Sequence, residues 1–268
     1  MPIPLAASRR EILQQMQSAK SLLIALDFDG TLLPLQARPE DCYLDSAVVR
    51  ILSDLAVQER VSLAIISGRS VEDLAQRVTE PRLTLAGNHG LEIRGPDVQF
   101  LEPTAYGLMG EIERIADELT RRLSGIGRVW VERKGLSATV HFRQVDADRI
   151  PEVKSIVRRT VESLSAAGSL VPRTGNMVLE IRPAVKWNKG AAVNWLKCRL
   201  QRGADPMTLL YIGDDETDED VFRQCSDAVT IVVGMDKVDS AAQYCVSSPK
   251  EVQELLSQIL ISRLTNPG

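Results

Sequence analysis

The sequence predicts an α/β protein with a parallel-sheet core and an inserted α+β domain. Leu22–Leu26 is a run of five apolar residues, which suits a strand buried on both faces of a parallel sheet. Strand and helix patterns alternate up to about residue 102 and again from residue 184, as in βαβ units. Residues 103–183 instead follow the order helix, two strands, helix, two strands, which is typical of a two-layer α+β domain. We therefore expect a core over 1–102 and 184–268 and a separate domain over 103–183.

Composition and charge exclude several classes of protein. The chain has 268 residues and a formal net charge of −4, which gives no basic surface for nucleic acid. No stretch approaches the roughly 18 apolar residues that a membrane helix needs, and residues 1–7 are too short for a signal sequence. The four cysteines are scattered and form neither a zinc motif nor a disulfide framework. We therefore expect a cytoplasmic protein that binds neither nucleic acid nor membranes.

Apolar spacing places each helix and strand of the core. The predicted helices are Ser8–Ser18, Leu44–Val57, one from Val71 to Val78, one that Lys186–Gly190 opens and that continues through Leu200, and one from Val252 to Ile259. The predicted strands are Leu22–Leu26, Val61–Ile66, Leu83–Ala86, Leu209–Ile212 and Ala228–Val233, with a hairpin over Leu91–Phe100. Val238–Pro249 carries no clear pattern.

Two carboxylates stand where the first core strand ends, in Asp27-Phe28-Asp29-Gly30-Thr31. Ligands of open parallel sheets lie beyond the carboxyl ends of the strands, so both acids can face one reacting atom. A divalent cation would relieve their mutual repulsion, and Mg²⁺ binds carboxylate and phosphate oxygens together. This favours phosphoryl transfer to a carboxylate through an aspartyl phosphate. A plain acidic turn would explain the spacing of the two acids alone equally well.

Other strand ends and one helix start carry candidate phosphate and metal ligands. Ser67-Gly68-Arg69 offers a hydroxyl, backbone N–H groups and a cation to a phosphate, or else an ordinary helix cap. His89 is either a neighbour of the substrate or a loop residue with a hydrogen-bonding role. Lys189 opens a helix from which it can reach a phosphate, or it is solvated as most lysines are. Gly213–Asp220 holds six acids in eight residues, and at a strand end metal ligation is the better interpretation.

The inserted domain presents one polar sheet face. In its strands Val129–Lys134, Leu136–Arg143 and Met177–Arg182, apolar residues alternate with polar ones. The polar face could simply be solvated. If the domain folds over the core as a lid, the same face would recognise a hydroxyl-rich substrate and exclude water. The specificity candidates on it are Glu132, Lys134, Arg143 and Glu180.

Taken together, these segments resemble the haloacid dehalogenase (HAD) superfamily of phosphatases. The resemblance implies an HAD-like Rossmannoid core with a C2-type cap, and it implies roles for individual residues. Asp27 would be the nucleophile and Asp29 the general acid and base. Ser67 and Lys189 would hold the phosphoryl oxygens.

The same resemblance implies a Mg²⁺ site and further substrate contacts. The metal would be held by Asp27, the backbone carbonyl of Asp29 and Asp214, with Asp215 or Asp218 in support. The remaining predicted substrate contacts in the core are Thr31, Arg69, Asn88 and His89.

More narrowly, the chain is similar to the trehalose-6-phosphate phosphatase family. The matching segments are Asp27–Leu32, Ile66–Arg69, Gly87–Gly90, Val131–Gly135, Val140–Arg143 and Gly213–Glu219, together with Glu180 before Lys189-Gly190. In that family a cap glutamate, a lysine and a second glutamate read sugar hydroxyls, and they correspond here to Glu132, Lys134 and Glu180. The chain departs from the family at Asn88, where a small residue such as serine is usual, and at Arg133, where an acidic or neutral residue is common.

The resemblance implies Mg²⁺-dependent hydrolysis of trehalose 6-phosphate by a monomer, with functional coupling to a trehalose-6-phosphate synthase. Two alternatives stay open at this point. The chain could be another sugar-phosphate phosphatase of the superfamily, for example one that acts on a glycosyl phosphoglycerate. It could also be a non-catalytic regulatory module that kept the fold.

Overall fold

The computed structural model describes residues 1–36, 38–175, 177–201 and 204–265. The chain divides into two compact units. The core unit comprises Met1–Phe100 and Trp187–Gly268, and the inserted unit comprises Leu101–Lys186. Within the described residues, no helix combines the length and the apolar character needed to cross a membrane.

The described ranges form the following elements. In chain order the strands are β1 (Ile3–Pro4), β2 (Leu22–Leu26), β3 (Val61–Ile66), β4 (Thr84–Gly87), β5 (Glu92–Arg94), β6 (Gln99–Leu101), β7 (Trp130–Arg133), β8 (Ala138–His141), β9 (Leu170–Gly175), β10 (Val178–Pro183), β11 (Thr208–Gly213), β12 (Val229–Val233) and β13 (Tyr244–Val246). The α-helices are α1 (Arg9–Ser18), α2 (Ser46–Ala56), α3 (Val71–Arg77), α4 (Pro103–Gly107), α5 (Met109–Leu123), α6 (Ile150–Leu164), α7 (Lys189–Leu200), α8 (Glu219–Gln224) and α9 (Pro249–Thr265).

The sheet of the core unit has the order β1-β13-β12-β11-β2-β3-β4-β5-β6. Along this order every neighbouring pair of strands between β1 at one edge and β4 is parallel, and β5 pairs antiparallel with β4. The central strand β2 serves two hydrophobic clusters. Leu22, Ile24 and Leu26 pack with residues of α1, α2, α3 and α9, whereas Leu23 and Ala25 pack with residues of α7 and α8. Because each face of β2 meets a helical layer, the whole run has to be apolar.

The inserted unit is a four-stranded antiparallel sheet in the order β7-β8-β10-β9. Apolar residues of α5 and α6 pack against one sheet face, where Val140, Leu179 and Ile181 are buried. The predicted alternation is thereby confirmed, because these residues stand on the face assigned as apolar.

The predicted fold class is confirmed: a mostly parallel sheet between helices, with an α+β block inserted in the chain. The sequence analysis missed β1 and β13, which lie at one edge of the sheet. Both strands have three residues or fewer, too few for an alternating pattern to stand out. Helix α9 also extends to Thr265, beyond its predicted end at Ile259.

Candidate active site

A buried lysine lies between two acids at the carboxyl ends of β2 and β11. Asp27 directly follows β2, and its backbone N–H donates to the carbonyl of Ile212 in β11 at 2.9 Å. Lys189 is the first residue of α7, and its Nζ donates to Asp27 Oδ1 at 2.7 Å and to Asp218 Oδ1 at 2.8 Å. Lys189 is 1% exposed and Asp218 is fully buried. Such burial is tolerable only because the charges are paired.

Burial and the neighbouring charges act in opposite directions at this site. Burial raises the pKa of Asp27, Lys189 lowers it, and the net pKa stays well above the usual value. Burial lowers the pKa of Lys189, but the charges of Asp218 and Asp27 raise it by more than burial lowers it. The net pKa of Lys189 therefore lies above its usual value. The lysine therefore stays protonated and offers a positive charge to an anion.

Asp218 is held by four hydrogen bonds. Its Oδ1 accepts from Lys189 Nζ and from the Tyr211 hydroxyl, the latter at 2.6 Å. Its Oδ2 accepts from the backbone N–H groups of Asp214 and Asp215, both at 2.9 Å. Because a carboxylate offers about four acceptor sites, the protein itself uses them all. Asp218 thus fixes both the lysine and the acidic loop.

One carboxylate oxygen each of Asp27, Asp214 and Asp218 lies within 4.8 Å of the others. Since the acceptor sites of Asp218 are already used, Asp27 and Asp214 are the members of this group that could bind a metal ion directly. The Oδ1 of Asp214 is buried, as is the Oγ1 of Thr31, and neither has a hydrogen-bond partner among the described residues. A buried acceptor without a partner is costly, and a cation would satisfy it. The donors are carboxylate oxygens, which suit Mg²⁺. Gly30 permits this approach, because a Cβ there would lie 2.2 Å from Asp214 Oδ2.

Asp215 is turned toward its own loop. Its Oδ1 accepts from the backbone N–H and the hydroxyl of Thr217 at 2.8 and 2.6 Å, and it lies 3.8 Å from Lys189 Nζ. Burial raises its pKa, but Lys189 and the Thr217 bonds outweigh burial, so the net pKa is lowered. Asp215 therefore keeps a negative charge beside the lysine, while its predicted role in metal support stays a prediction.

Asp29 forms a bidentate ion pair with Arg69. The Nε and Nη2 of Arg69 donate to the two carboxylate oxygens of Asp29 at 2.6 and 2.8 Å. The Nη1 donates to Asp73 at 2.7 Å, and Arg77 donates to both oxygens of Asp73. Arg69 is only 7% exposed, so this fork fixes the plane of the Asp29 carboxylate. The predicted phosphate contact of Arg69 and the acid–base and metal roles of Asp29 stay predictions.

The loops after β3 and β4 bring the other predicted phosphate contacts together. The Oγ of the buried Ser67 accepts from the backbone N–H of Arg69 at 3.2 Å. The carbonyl of Ser67 accepts from the backbone N–H of His89 at 2.8 Å, and that of Arg69 from Asn88 at 2.7 Å. Asn88 and His89 have φ angles of 49° and 58°, a left-handed conformation that non-glycine residues adopt mainly where the surroundings require it. The His89 ring lies against Gly68, where a Cβ would be 2.7 Å from Nε2.

In the inserted unit, three of the predicted specificity residues form one polar cluster. Lys134 Nζ lies 3.7 Å from Glu132 Oε2 and 3.9 Å from Glu180 Oε1. Glu132 Oε2 also lies 2.8 Å from His141 Nε2. Arg143, the fourth candidate, follows the end of β8 and is exposed.

The sequence analysis missed two supporting features of the core site. Tyr211 stands inside an apolar strand and is fully buried. A buried tyrosine hydroxyl usually has a partner, so the acidic run beyond β11 was a signal for its contact with Asp218. Asp73 and Arg77 follow Arg69 at four-residue intervals, a spacing that brings charged side chains together on a helix.

Comparison with known proteins identifies a family for this sequence and fold. A family model described as trehalose-phosphatase matches residues 25–255. Trehalose-phosphate phosphatase B of Arabidopsis thaliana is 31% identical over 254 residues, which are 90% of this chain and 67% of that protein. Trehalose-phosphate phosphatase of Mycobacterium marinum is 34% identical over 255 residues, 91% of this chain and 63% of that protein. The chain therefore spans about two thirds of the length of these relatives.

A solved structure shows the same likeness in three dimensions. Aspergillus fumigatus trehalose-6-phosphate phosphatase is 27% identical in sequence and superposes with a TM-score of 0.68. The match covers 98% of this chain and 100% of that chain.

Replacing Lys189 with methionine should lower the free energy of unfolding by about 3–5 kcal/mol, because Asp27 and Asp218 would stay buried without their shared cation. The matched control is Lys197→Met on the same helix, whose ion pair with Asp227 lies at the surface and should be worth less than about 1 kcal/mol. Urea unfolding followed by circular dichroism measures both variants. Equal losses would contradict the buried pairing.

Without metal, the contribution of Asp214 to the stability of the folded chain should be lost as the pH rises from about 4 to about 7. Burial first, and then Asp218 and Asp215, raise the pKa of Asp214 from 3.8 to about 7. Between these values the folded state holds a proton that the unfolded state has lost, so the linked stability is present below the unfolded pKa and disappears as the pH rises through the folded pKa. Urea midpoints measured in chelator should therefore depend less on pH in Asp214→Asn than in the wild type. If the wild type and Asp214→Asn show the same pH dependence of stability, Asp214 is not the group responsible for it.

Proposed function

The chain belongs to the trehalose-phosphatase family, and from that premise we propose that it hydrolyses trehalose 6-phosphate to trehalose and phosphate with the help of Mg²⁺. The observation that carries this proposal is the buried Asp27–Lys189 pair beside the acidic loop after β11. A nucleophilic carboxylate, a cation and a group of acids that fits a metal are the parts that phosphoryl transfer to a carboxylate requires.

Asp27 acts as the nucleophile in this proposal. One of its oxygens attacks phosphorus, the bond between phosphorus and the sugar oxygen breaks, and an aspartyl phosphate forms. Asp29 donates a proton to the leaving sugar oxygen and then takes one from the water that attacks the aspartyl phosphate, which releases phosphate and restores Asp27. Asp29 accepts one N–H bond from Arg69 on each of its oxygens, which leaves further acceptor sites of the carboxylate for the proton that it carries.

Lys189 and Ser67 hold the phosphoryl oxygens. Lys189 stays protonated because several acids surround it, and it therefore neutralises charge on the transferring group. Ser67 contributes its hydroxyl from the loop after β3. The backbone carbonyl of Ser67 accepts a hydrogen bond from the N–H of His89, which connects this loop to the loop after β4. Asn88, His89, Thr31 and Arg69 complete the proposed phosphate surroundings.

The metal ligands that we assign are Asp27, Asp214 and the backbone carbonyl of Asp29. Mg²⁺ bound there supplies positive charge to the phosphoryl group. Asp218 supports the site indirectly. Its acceptor sites are used by Lys189, Tyr211 and two backbone N–H groups, so that it holds the lysine and the acidic loop in place. Asp215 adds a nearby negative charge.

The inserted unit supplies sugar recognition in this proposal. Glu132 and Glu180 accept hydrogen bonds from sugar hydroxyls, Lys134 donates to them, and Arg143 assists. Trehalose is the sugar because the curated relatives carry the name trehalose-phosphate phosphatase. A monomeric state, a cytoplasmic location and coupling to a trehalose-6-phosphate synthase stay predictions from the sequence.

Phosphate release from a panel of sugar phosphates tests the reaction. The wild type should prefer trehalose 6-phosphate and lose activity in chelator. Asp27→Asn should lower turnover by at least about 10³-fold, because the nucleophile is gone. The matched control is Asp205→Asn, which removes only an exposed ion pair with Lys20 and should leave turnover unchanged. Appreciable turnover in Asp27→Asn, or no preference for trehalose 6-phosphate, would contradict the proposal.

Glu132→Ala should separate sugar recognition from chemistry. We expect kcat/KM for trehalose 6-phosphate to fall about 10- to 100-fold, while p-nitrophenyl phosphate, which has no sugar hydroxyls, stays within about twofold. Glu113→Ala is the control, because Glu113 pairs with Arg133 at the exposed surface of the same unit. If Glu132→Ala lowers kcat/KM equally for both substrates, Glu132 does not recognise the sugar.

A further inference from the structure

Cross-strand register sorts the polar face of the inserted sheet into two neighbouring rows. The first row contains Trp130, His141 and Val178, contributed by β7, β8 and β10. The second row, two residues along each strand, contains Glu132, Thr139 and Glu180. An aromatic and apolar row therefore runs beside a row of oxygen ligands.

Trp130 is rigidly held although it is not buried. Its indole stacks on the imidazole of His141 with ring centroids 3.8 Å apart and planes inclined by 2°. The imidazole is in turn fixed by Glu132, 2.8 Å from its Nε2. Trp130 nevertheless stays 45% exposed. Tryptophan is enriched at binding interfaces because its ring combines a large apolar surface with a polar N–H group.

Thr139 supplies an independent observation in the second row. It is 3% exposed, and its Oγ1 is buried with no hydrogen-bond partner in the described part of the chain. A buried hydroxyl without a partner costs free energy. A hydroxyl group of a ligand could supply the missing hydrogen bond between the flanking carboxylates.

We propose that Trp130 and Thr139 are further specificity-determining residues, which extend the sugar subsite that the proposed function assigns to Glu132, Lys134 and Glu180. A pyranose ring has an apolar C–H face and a rim of hydroxyls, so it needs an aromatic surface next to hydrogen-bonding groups. The indole face that is not stacked on His141 carries negative electrostatic potential and attracts the C–H hydrogens, and Thr139 bonds a hydroxyl at the rim. His141 is a positioning residue that sets the plane of the indole.

This inference rests on the proposed function for the identity of the sugar, but it makes a different claim. A purely structural role for the Trp130–His141 stack would stabilise the edge strand β7 as other cross-strand pairs do. Removal of the indole would then change stability without changing substrate preference.

The test compares Trp130→Ala, Trp130→Phe and Thr139→Val with Tyr106→Ala, which removes another exposed aromatic side chain of the inserted unit. Initial rates give kcat and KM for trehalose 6-phosphate and for p-nitrophenyl phosphate. We expect Trp130→Ala to raise KM for the sugar phosphate about 10-fold with the aryl phosphate unaffected, and Trp130→Phe to recover most of the loss, because uniform substrate binding is what disappears. Thr139→Val should raise the same KM about fivefold, and Tyr106→Ala should change neither substrate.

Binding of trehalose itself gives a second measurement. Saturation-transfer difference NMR should show transfer to the ring C–H protons of trehalose with the wild type and with Tyr106→Ala, and reduced transfer with Trp130→Ala. If Trp130→Ala impairs the hydrolysis of both phosphate substrates equally, or leaves the saturation transfer to trehalose unchanged, the proposed role of Trp130 in the subsite is wrong.

Failure of the proposed function can be distinguished from failure of the subsite. If the wild type prefers another sugar phosphate, trehalose is the wrong sugar, and the same variants are then compared on the preferred substrate and its free sugar. If the wild type hydrolyses no sugar phosphate, NMR transfer to trehalose and glucose decides the subsite alone.

Discussion

The core unit depends on keeping several carboxylates close together in a buried place. Like charges repel strongly where water is scarce, and Lys189 offsets that repulsion through its bonds to Asp27 and Asp218. The backbone is shaped to allow this approach. Gly213 leaves room for the buried carboxyl of Asp218, because a Cβ there would lie 2.2 Å from its Cγ. The sheet order follows the same need, since β2 and β11 are neighbours and deliver both acidic segments to one edge.

Two acids that are two residues apart have different electrostatic surroundings. Asp27 is buried beside a lysine and further acids, and its pKa is raised. Asp29 is clamped by a guanidinium whose position is fixed by Asp73 and Arg77. Different surroundings allow chemically identical side chains to take different roles in one reaction. The proposed division of labour between a nucleophile and a proton carrier would therefore be a property of the environment and not of residue type.

The sequence predicts those parts of the molecule that depend on local pattern. The limits of β3 match the predicted strand Val61–Ile66. Asp27, Lys189 and Asp214 could be named as candidate site residues because each stands where a strand ends or a helix begins. The hydrogen bonds of Asp218, the stack of Trp130 on His141 and the buried hydroxyl of Thr139 were not predicted. Each depends on tertiary geometry: the folding of the acidic loop onto β11 and α7, and the cross-strand register of the inserted sheet, which periodicity alone does not specify.

The hydrophobic cluster of the inserted unit contains residues of that unit alone. Substitutions on its polar face therefore change no residue of the two clusters around β2. On the proposed assignment of roles, mutations there would alter ligand preference without replacing any residue of the proposed phosphoryl-transfer site. In evolutionary terms, substrate range and reaction chemistry would then change through separate mutations of one gene, which favours divergence after gene duplication.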